Sequence, residues 1–178
     1  MFIQAVIVSI IIGYILKGKI NNLENVNIRG GLLAAVAFGL EFLVIILIRK
    51  GILTNGTLTY LLDLSMYILL GVFVYLNRKD SFVLLMGIGF LLNAIPILLN
   101  GGAMPVSAKA YTAVGLKSEI TKEGLYCFIN GNTRFWFLGD IIPYKFISKL
   151  VISIGDIVIA IGLMLFIISG MRKKVVDI

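Results

Sequence analysis

The amino-acid sequence predicts an all-α integral membrane protein, a bundle of about five transmembrane helices with a long aromatic-rich interfacial loop before the last helix. Three observations lead there. Of 178 residues, 60% are hydrophobic and only 14% are charged, against roughly 45–50% and about 25% in soluble domains. Apolar runs of near-spanning length recur along the chain, and basic residues cluster at their ends. The mean hydropathy is +1.05. One soluble core of this size cannot hide so much apolar surface, so lipid is where the remainder goes. At this length one membrane domain covering residues 1–178 is the expectation.

The first run, residues 2–16, lacks the positive n-region of a secretory signal and a small-residue cleavage site before Lys17. It is expected to be a retained helix, slightly short for a hydrocarbon core of about 30 Å. Four runs follow at 31–48, 58–76, 82–99 and 150–169, each close to the roughly 20 residues a spanning helix needs. Helices follow because unpaired backbone in lipid is too costly. Residues 100–149 form the loop. Its Tyr111, Tyr126, Phe128, Phe135, Trp136, Phe137, Tyr144 and Phe146, mixed with Lys and Arg, suit the headgroup region. Ser107 can cap a short interfacial helix through Val114. Residues 126–130 and 133–138, around Asn130-Gly131-Asn132, could pair as a small hairpin.

The formal charge is +7, from 16 Lys+Arg against 9 Asp+Glu. In a soluble chain this balance would raise nucleic acid as a partner. Here the basic residues border the apolar runs, which makes them topology signals attracted to anionic headgroups and argues against nucleic acid. Lys17, Lys19, Arg29, Arg78, Lys79, Arg172, Lys173 and Lys174 fall on one side of a five-span bundle, and the only short loop opposite holds Arg49 and Lys50. The expected placement is a cell membrane with the N-terminus and the 100–149 loop outside and the C-terminus cytoplasmic. Cys127 is the sole cysteine and there is no histidine, so no intramolecular disulfide forms and the commonest metal ligand and neutral-pH base are missing. Neither a metal nor another cofactor is expected, and acid–base chemistry falls to carboxylates, Tyr and Lys.

Placed by depth at about 1.5 Å per residue, Asp63, Asn93 and Asp156 should lie roughly 8–10 Å below the outer end of the hydrocarbon, with Glu41 deeper. An Asp near a helix centre costs about 2.5–3.5 kcal/mol on insertion and therefore faces the bundle interior. Lys149, Ser153, Asp156 and Ala160 form one helical stripe, and Tyr60, Asp63, Tyr67 and Gly71 another. Met86, Asn93 and Asn100 align at heptad spacing. Purely structural duties also fit: Asn93 bonding the Leu92 carbonyl freed by Pro96, Asp63 bonding a tyrosine, and Glu41 a neutral interhelical partner. Gly87 and Gly89 suit close helix packing rather than a nucleotide loop.

Two loop stretches carry further polar residues. One is Asn100-Gly101-Gly102-Ala103-Met104-Pro105-Val106-Ser107; the other is Gly139-Asp140-Ile141-Ile142-Pro143, followed by Ser153-Ile154-Gly155-Asp156. The segment between Asp140 and Asp156 can fold back and bring the two carboxyls together at the outer boundary. Over nearly the whole chain these motifs resemble a family of small bacterial membrane proteins known only as a domain of unknown function. Asn100-Gly101-Gly102-Ala103, Asp140-Ile141-Ile142 and Asp156-Ile157-Val158-Ile159-Ala160-Ile161-Gly162 also resemble, in part, three elements of lipoprotein signal peptidase, an intramembrane aspartyl enzyme. That family's GNxxDR element has no counterpart here. The second resemblance implies that Asp140 and Asp156 are a catalytic pair acting on a membrane-anchored peptide or lipid substrate, with Asn93, Asn100, Asp63 and Lys149 holding the substrate. Two other readings stand beside it. The set Glu41, Asp63, Asn93 and Asp156 with the Pro96-broken helix suits a proton- or ion-coupled transporter, which at this size needs a homo-oligomer. Alternatively, the chain is a non-catalytic assembly or lipid-binding factor.

Overall fold

The computed structural model describes residues 1–54, 56–116 and 125–173. Four bundle helices follow the first four apolar runs: α1 (Phe2–Ile15), α2 (Gly31–Arg49), α3 (Thr57–Leu76) and α4 (Ser81–Leu99). The loop contributes strand β1 (Met104–Val106), the short helix α5 (Ala108–Ala113) and the strands β2 (Tyr126–Phe128), β3 (Ile142–Tyr144) and β4 (Leu150–Ile152). The last bundle helix, α6, spans Ile154–Arg172. Helices α2, α3, α4 and α6 are long and apolar enough to cross a membrane, whereas α1 is apolar but has 14 residues, about 21 Å of helix.

The bundle is an arc in which α2 packs on α3, α3 on α4, α4 on α6 and α6 on α1. The α4–α6 seam is the tightest because it is lined with glycine. A Cβ on Gly155 would run into Asn93 and stand 2.8 Å from the Gly89 carbonyl oxygen, and one on Gly162 would stand 3.0 Å from the Met86 nitrogen. Small residues that let two backbones approach are the usual substitute for hydrophobic drive between helices in lipid. The close-packing reading of Gly87 and Gly89 holds, since a Cβ on Gly87 would lie 2.7 Å from Val74.

At the end away from the loop, polar groups close the structure. Buried Asn77 accepts from the Arg29 N–H (2.9 Å) and donates to the Arg29 and Phe73 carbonyls (2.7 and 2.8 Å). The Lys19 N–H and the Asn22 side chain both donate to the Met171 carbonyl, satisfying an acceptor that the end of α6 would leave orphaned.

Two expectations about the loop are corrected. The last helix begins at Ile154, not residue 150, and it ends at Arg172 rather than 169. Leu150–Ile152 is instead a strand antiparallel to Ile142–Tyr144, so Lys149 and Ser153 do not share a helical stripe with Asp156. An apolar run of β-branched residues is compatible with either helix or strand, and here Ser153 sets the boundary by capping. Asp156, expected well inside the helix, stands in its first turn. Nor do residues 126–130 and 133–138 pair as a hairpin. Tyr126–Phe128 lies parallel to Met104–Val106, and Trp136–Leu138 is a turn of 3-10 helix. Ser107 does cap α5, accepting from the Ala110 N–H at 3.3 Å. Part of the loop, residues 117–124, and Lys174 of the basic tail lie outside the described residues.

Candidate functional site: an acidic chamber under the loop

The chamber begins with how α6 starts. Ser153 and Asp156 form a capping box: the Ser153 hydroxyl accepts from the Asp156 N–H (2.9 Å), and the Asp156 carboxylate accepts from the Ser153 N–H (3.1 Å). The fully buried Ser153 also donates its hydroxyl proton to Asn93 on α4 (2.7 Å), and Asn93 donates to the other Asp156 oxygen (3.0 Å). Ser153, Asn93 and Asp156 therefore close a ring across the glycine seam. Asn93 does not bond the carbonyl freed by Pro96; its amide is spent on α6.

Asp140 arrives from the loop. Its N–H donates to the Pro105 carbonyl (2.8 Å) and its carbonyl accepts from the Ser107 N–H (2.9 Å). Strand β1 thus holds residue 140 on one edge and β2 on the other. Those two backbone hydrogen bonds fix residue 140, which is buried at 7% exposure. Burial, reinforced by the charge of Asp156, pushes the Asp140 carboxyl up to about 8. The neighbouring Tyr126 hydroxyl is pushed up to about 12, first by burial and then by Asp140.

These elements enclose a chamber of about 170 Å³ lined by Glu41, Asp63, Asn93, Asp140 and Asp156. Four carboxyl groups face it, and no Lys or Arg is among its described lining residues. Asp63, on α3, is not hydrogen-bonded by Tyr60 or Tyr67 among the described residues, contrary to the paired arrangement considered above. It sits against Gly102, where a Cβ would come within 3.2 Å of its carboxyl oxygen and the backbone φ of +86° also favours glycine. Below the chamber lies a second, apolar cavity of about 490 Å³, which shares Glu41, Met66, Tyr67, Asn93 and Asp156 with it.

Of the residues expected at a site, Asp63, Asn93, Asp140 and Asp156 come together, and Glu41 joins them. Asn100 and Lys149 are not among the lining residues. Asn100 instead fastens the loop to α4: its side chain donates to the Pro96 and Arg134 carbonyls (2.7 and 2.8 Å) and accepts from the Arg134 N–H (3.0 Å). Tyr126 and Met104 line the chamber too and were not expected there; they reach it through the non-local β1–β2 pairing, which leaves no mark in either segment alone. Among the described residues, no group of three or more metal-ligating side chains is suitably placed to hold a metal ion.

No solved structure matches the chain. A protein of Thermotoga maritima described only as uncharacterized is 30% identical over 174 residues, covering 97% of this chain and 93% of its own length. The family of unknown function DUF5317 matches residues 25–168, which takes in α2, α3, α4, most of α6 and both Asp140 and Asp156. The chain belongs to the DUF5317 family, whose function is unknown.

Proposed function

We propose that the chain is a multi-pass membrane protein whose chamber is an aspartyl hydrolase site for a membrane-anchored substrate, with the loop on the outer face. The carrying observation is that Asp140 and Asp156, from separate elements, line one small chamber with no basic residue among its described lining. Two carboxyls in such a site divide the work, one charged and one protonated. Asp140, held at about 8, carries its proton at neutral pH and is the acid. Asp156, oriented by the Asn93 side chain and the Ser153 N–H, is the base.

In the reaction, Asp156 takes a proton from water as the water oxygen attacks the substrate carbonyl. Asp140 supplies a proton to the amine as the C–N bond breaks, so that one water is consumed and an acid and an amine leave. The test compares wild type with Asp140→Asn and Asp156→Asn on membrane-anchored peptides in detergent. Loss of cleavage in both, with folding retained, is expected; normal cleavage by either variant overturns the reading.

A second reading, a proton-coupled carrier, is favoured by Glu41, Asp63, Asn93 and Asp156 sharing one chamber, although α4 runs unbroken through Pro96 rather than being interrupted there. A pH-driven flux through reconstituted vesicles that Asp63→Asn abolishes would select it. The outward loop is supported by the basic short connections on the opposite side, and a protease-accessible tag inserted at Gly131 tests it.

A further inference from the structure

The apolar cavity has no part in the hydrolytic scheme, yet it is the larger of the two spaces and adjoins the chamber, sharing Glu41, Asn93 and Asp156 with it. Its walls include Phe38, Leu70, Phe73, Phe90, Leu163 and Phe166. A volume of about 490 Å³ falls within the roughly 300–1,000 Å³ typical of ligand pockets. The arc of helices leaves a route in. Its two ends, α1 and α2, share no extensive packing, and on that side stand Phe2 and Phe38, which line the cavity and are 40% and 48% exposed.

The chamber sets the chemistry of the other end. An anionic headgroup would meet Glu41, Asp63, Asp140 and Asp156 with no basic residue among the described lining, so phosphate and carboxylate heads are disfavoured. Asp140 brings a further carboxyl to that space from the loop. Its side chain is nine-tenths buried and lines the chamber, and its carboxyl accepts no hydrogen bond among the described residues. Its carboxyl borders the open space of the chamber, where a donor-rich cation would meet it. We propose that the two spaces form one binding site for a single-chain amphiphile with a protonated amine head, its hydrocarbon chain in the apolar cavity and its ammonium among the four carboxyls. The site stands on geometry and charge alone and holds whether or not a bond is cut in it.

The test uses the full chain, purified in a nonionic maltoside, with dodecylamine, dodecanoate and butylamine as ligands in calorimetric titration. Dodecylamine is expected to bind at least about tenfold more tightly than dodecanoate, and butylamine, which lacks the chain, not measurably. The double variant Glu41→Gln/Asp63→Asn should bring the amine-to-acid ratio close to one. Ala34→Phe, which fills the cavity wall, should abolish dodecylamine binding; if that variant melts below the wild type, Leu163→Phe serves instead. Dodecanoate binding as tightly as the amine, butylamine competing on equal terms, or full binding by a folded cavity-filled variant would each overturn the proposal. Amine binding that survives alongside a failed peptide-cleavage assay would leave this site standing and remove only the hydrolase reading.

Discussion

The two ends of the bundle use the same residue type in opposite ways. Away from the loop, Asn77 is buried and its side chain is committed to the backbone of Arg29 and Phe73. At the loop end, Asn93 is committed to side chains, and one of them is a carboxylate that still faces an open chamber. The first end closes its hydrogen bonds within the protein. The second gathers four carboxyls and leaves Asp63 and Asp140 without donors among the described residues. A fold needs the first arrangement. The second costs stability, as the binding or reactive site proposed above would.

The largest expected effect that sharpens this contrast is that of pH. The Asp140 carboxyl sits at about 8 in the folded chain and at about 3.9 in an unfolded one. Between those values the folded state keeps a proton that the unfolded state has released, so folding stability falls as pH rises from about 4 to about 8 and this contribution is flat above. At about 1.4 kcal/mol per unit the total is roughly 6 kcal/mol. Thermal unfolding of Asp140→Asn across this range should lack that component; an unchanged slope would mean the loop end is not under electrostatic load.

Next comes the seam that carries the site. Gly155→Val drives a branched side chain into Asn93 and the Gly89 carbonyl and should cost about 3 kcal/mol, seen as a lowered melting temperature together with loss of ligand binding. A near-neutral result would show that α4 and α6 can separate freely.

The two asparagines give the most direct comparison. Asn77→Ala leaves buried backbone groups unpaired and should cost about 1–3 kcal/mol while each folded molecule keeps its binding and cleavage. Asn93→Ala should cost a similar amount but also change the pH profile of cleavage, because Asp156 loses an orienting donor. If both variants alter only stability, the chamber is structural like the opposite end. Smallest of all, Lys149→Ala should change stability by less than about 0.5 kcal/mol and leave binding intact, since Lys149 is not among the residues lining the chamber.

Much of the bundle was legible because lipid imposes a simple rule. Runs of apolar residues near spanning length became helices whose ends differ from the expected ones by a single residue for α1 to α4. The same rule failed at residues 150–152, where the apolar run continued but the chain did not stay helical. The Ser153-x-x-Asp156 cap was present in the sequence and marked the true start of α6; hydropathy drowned it. The turn at Asn130 formed as its residues suggest, with Asn130 N–H donating to the Thr133 hydroxyl at 2.9 Å. Its flanks nonetheless found other partners, because β2 gains more by pairing with buried β1 than by folding back locally.

By itself, then, the sequence determined that the chain has helices apolar enough to cross a membrane and that Glu41, Asp63, Asn93 and Asp156 fall within or at the edge of them. Each of those facts depends on neighbours along the chain and on the cost of placing polar groups in hydrocarbon. Only the tertiary structure decided that Asp140 joins them, that Asn100 and Lys149 do not line the chamber, and that a large apolar cavity lies beneath. Those outcomes depend on strand pairing between residues some 20 to 35 positions apart and on the gap an arc of helices leaves at its open side. Neither is encoded in any one segment, since both arise from how separate segments meet.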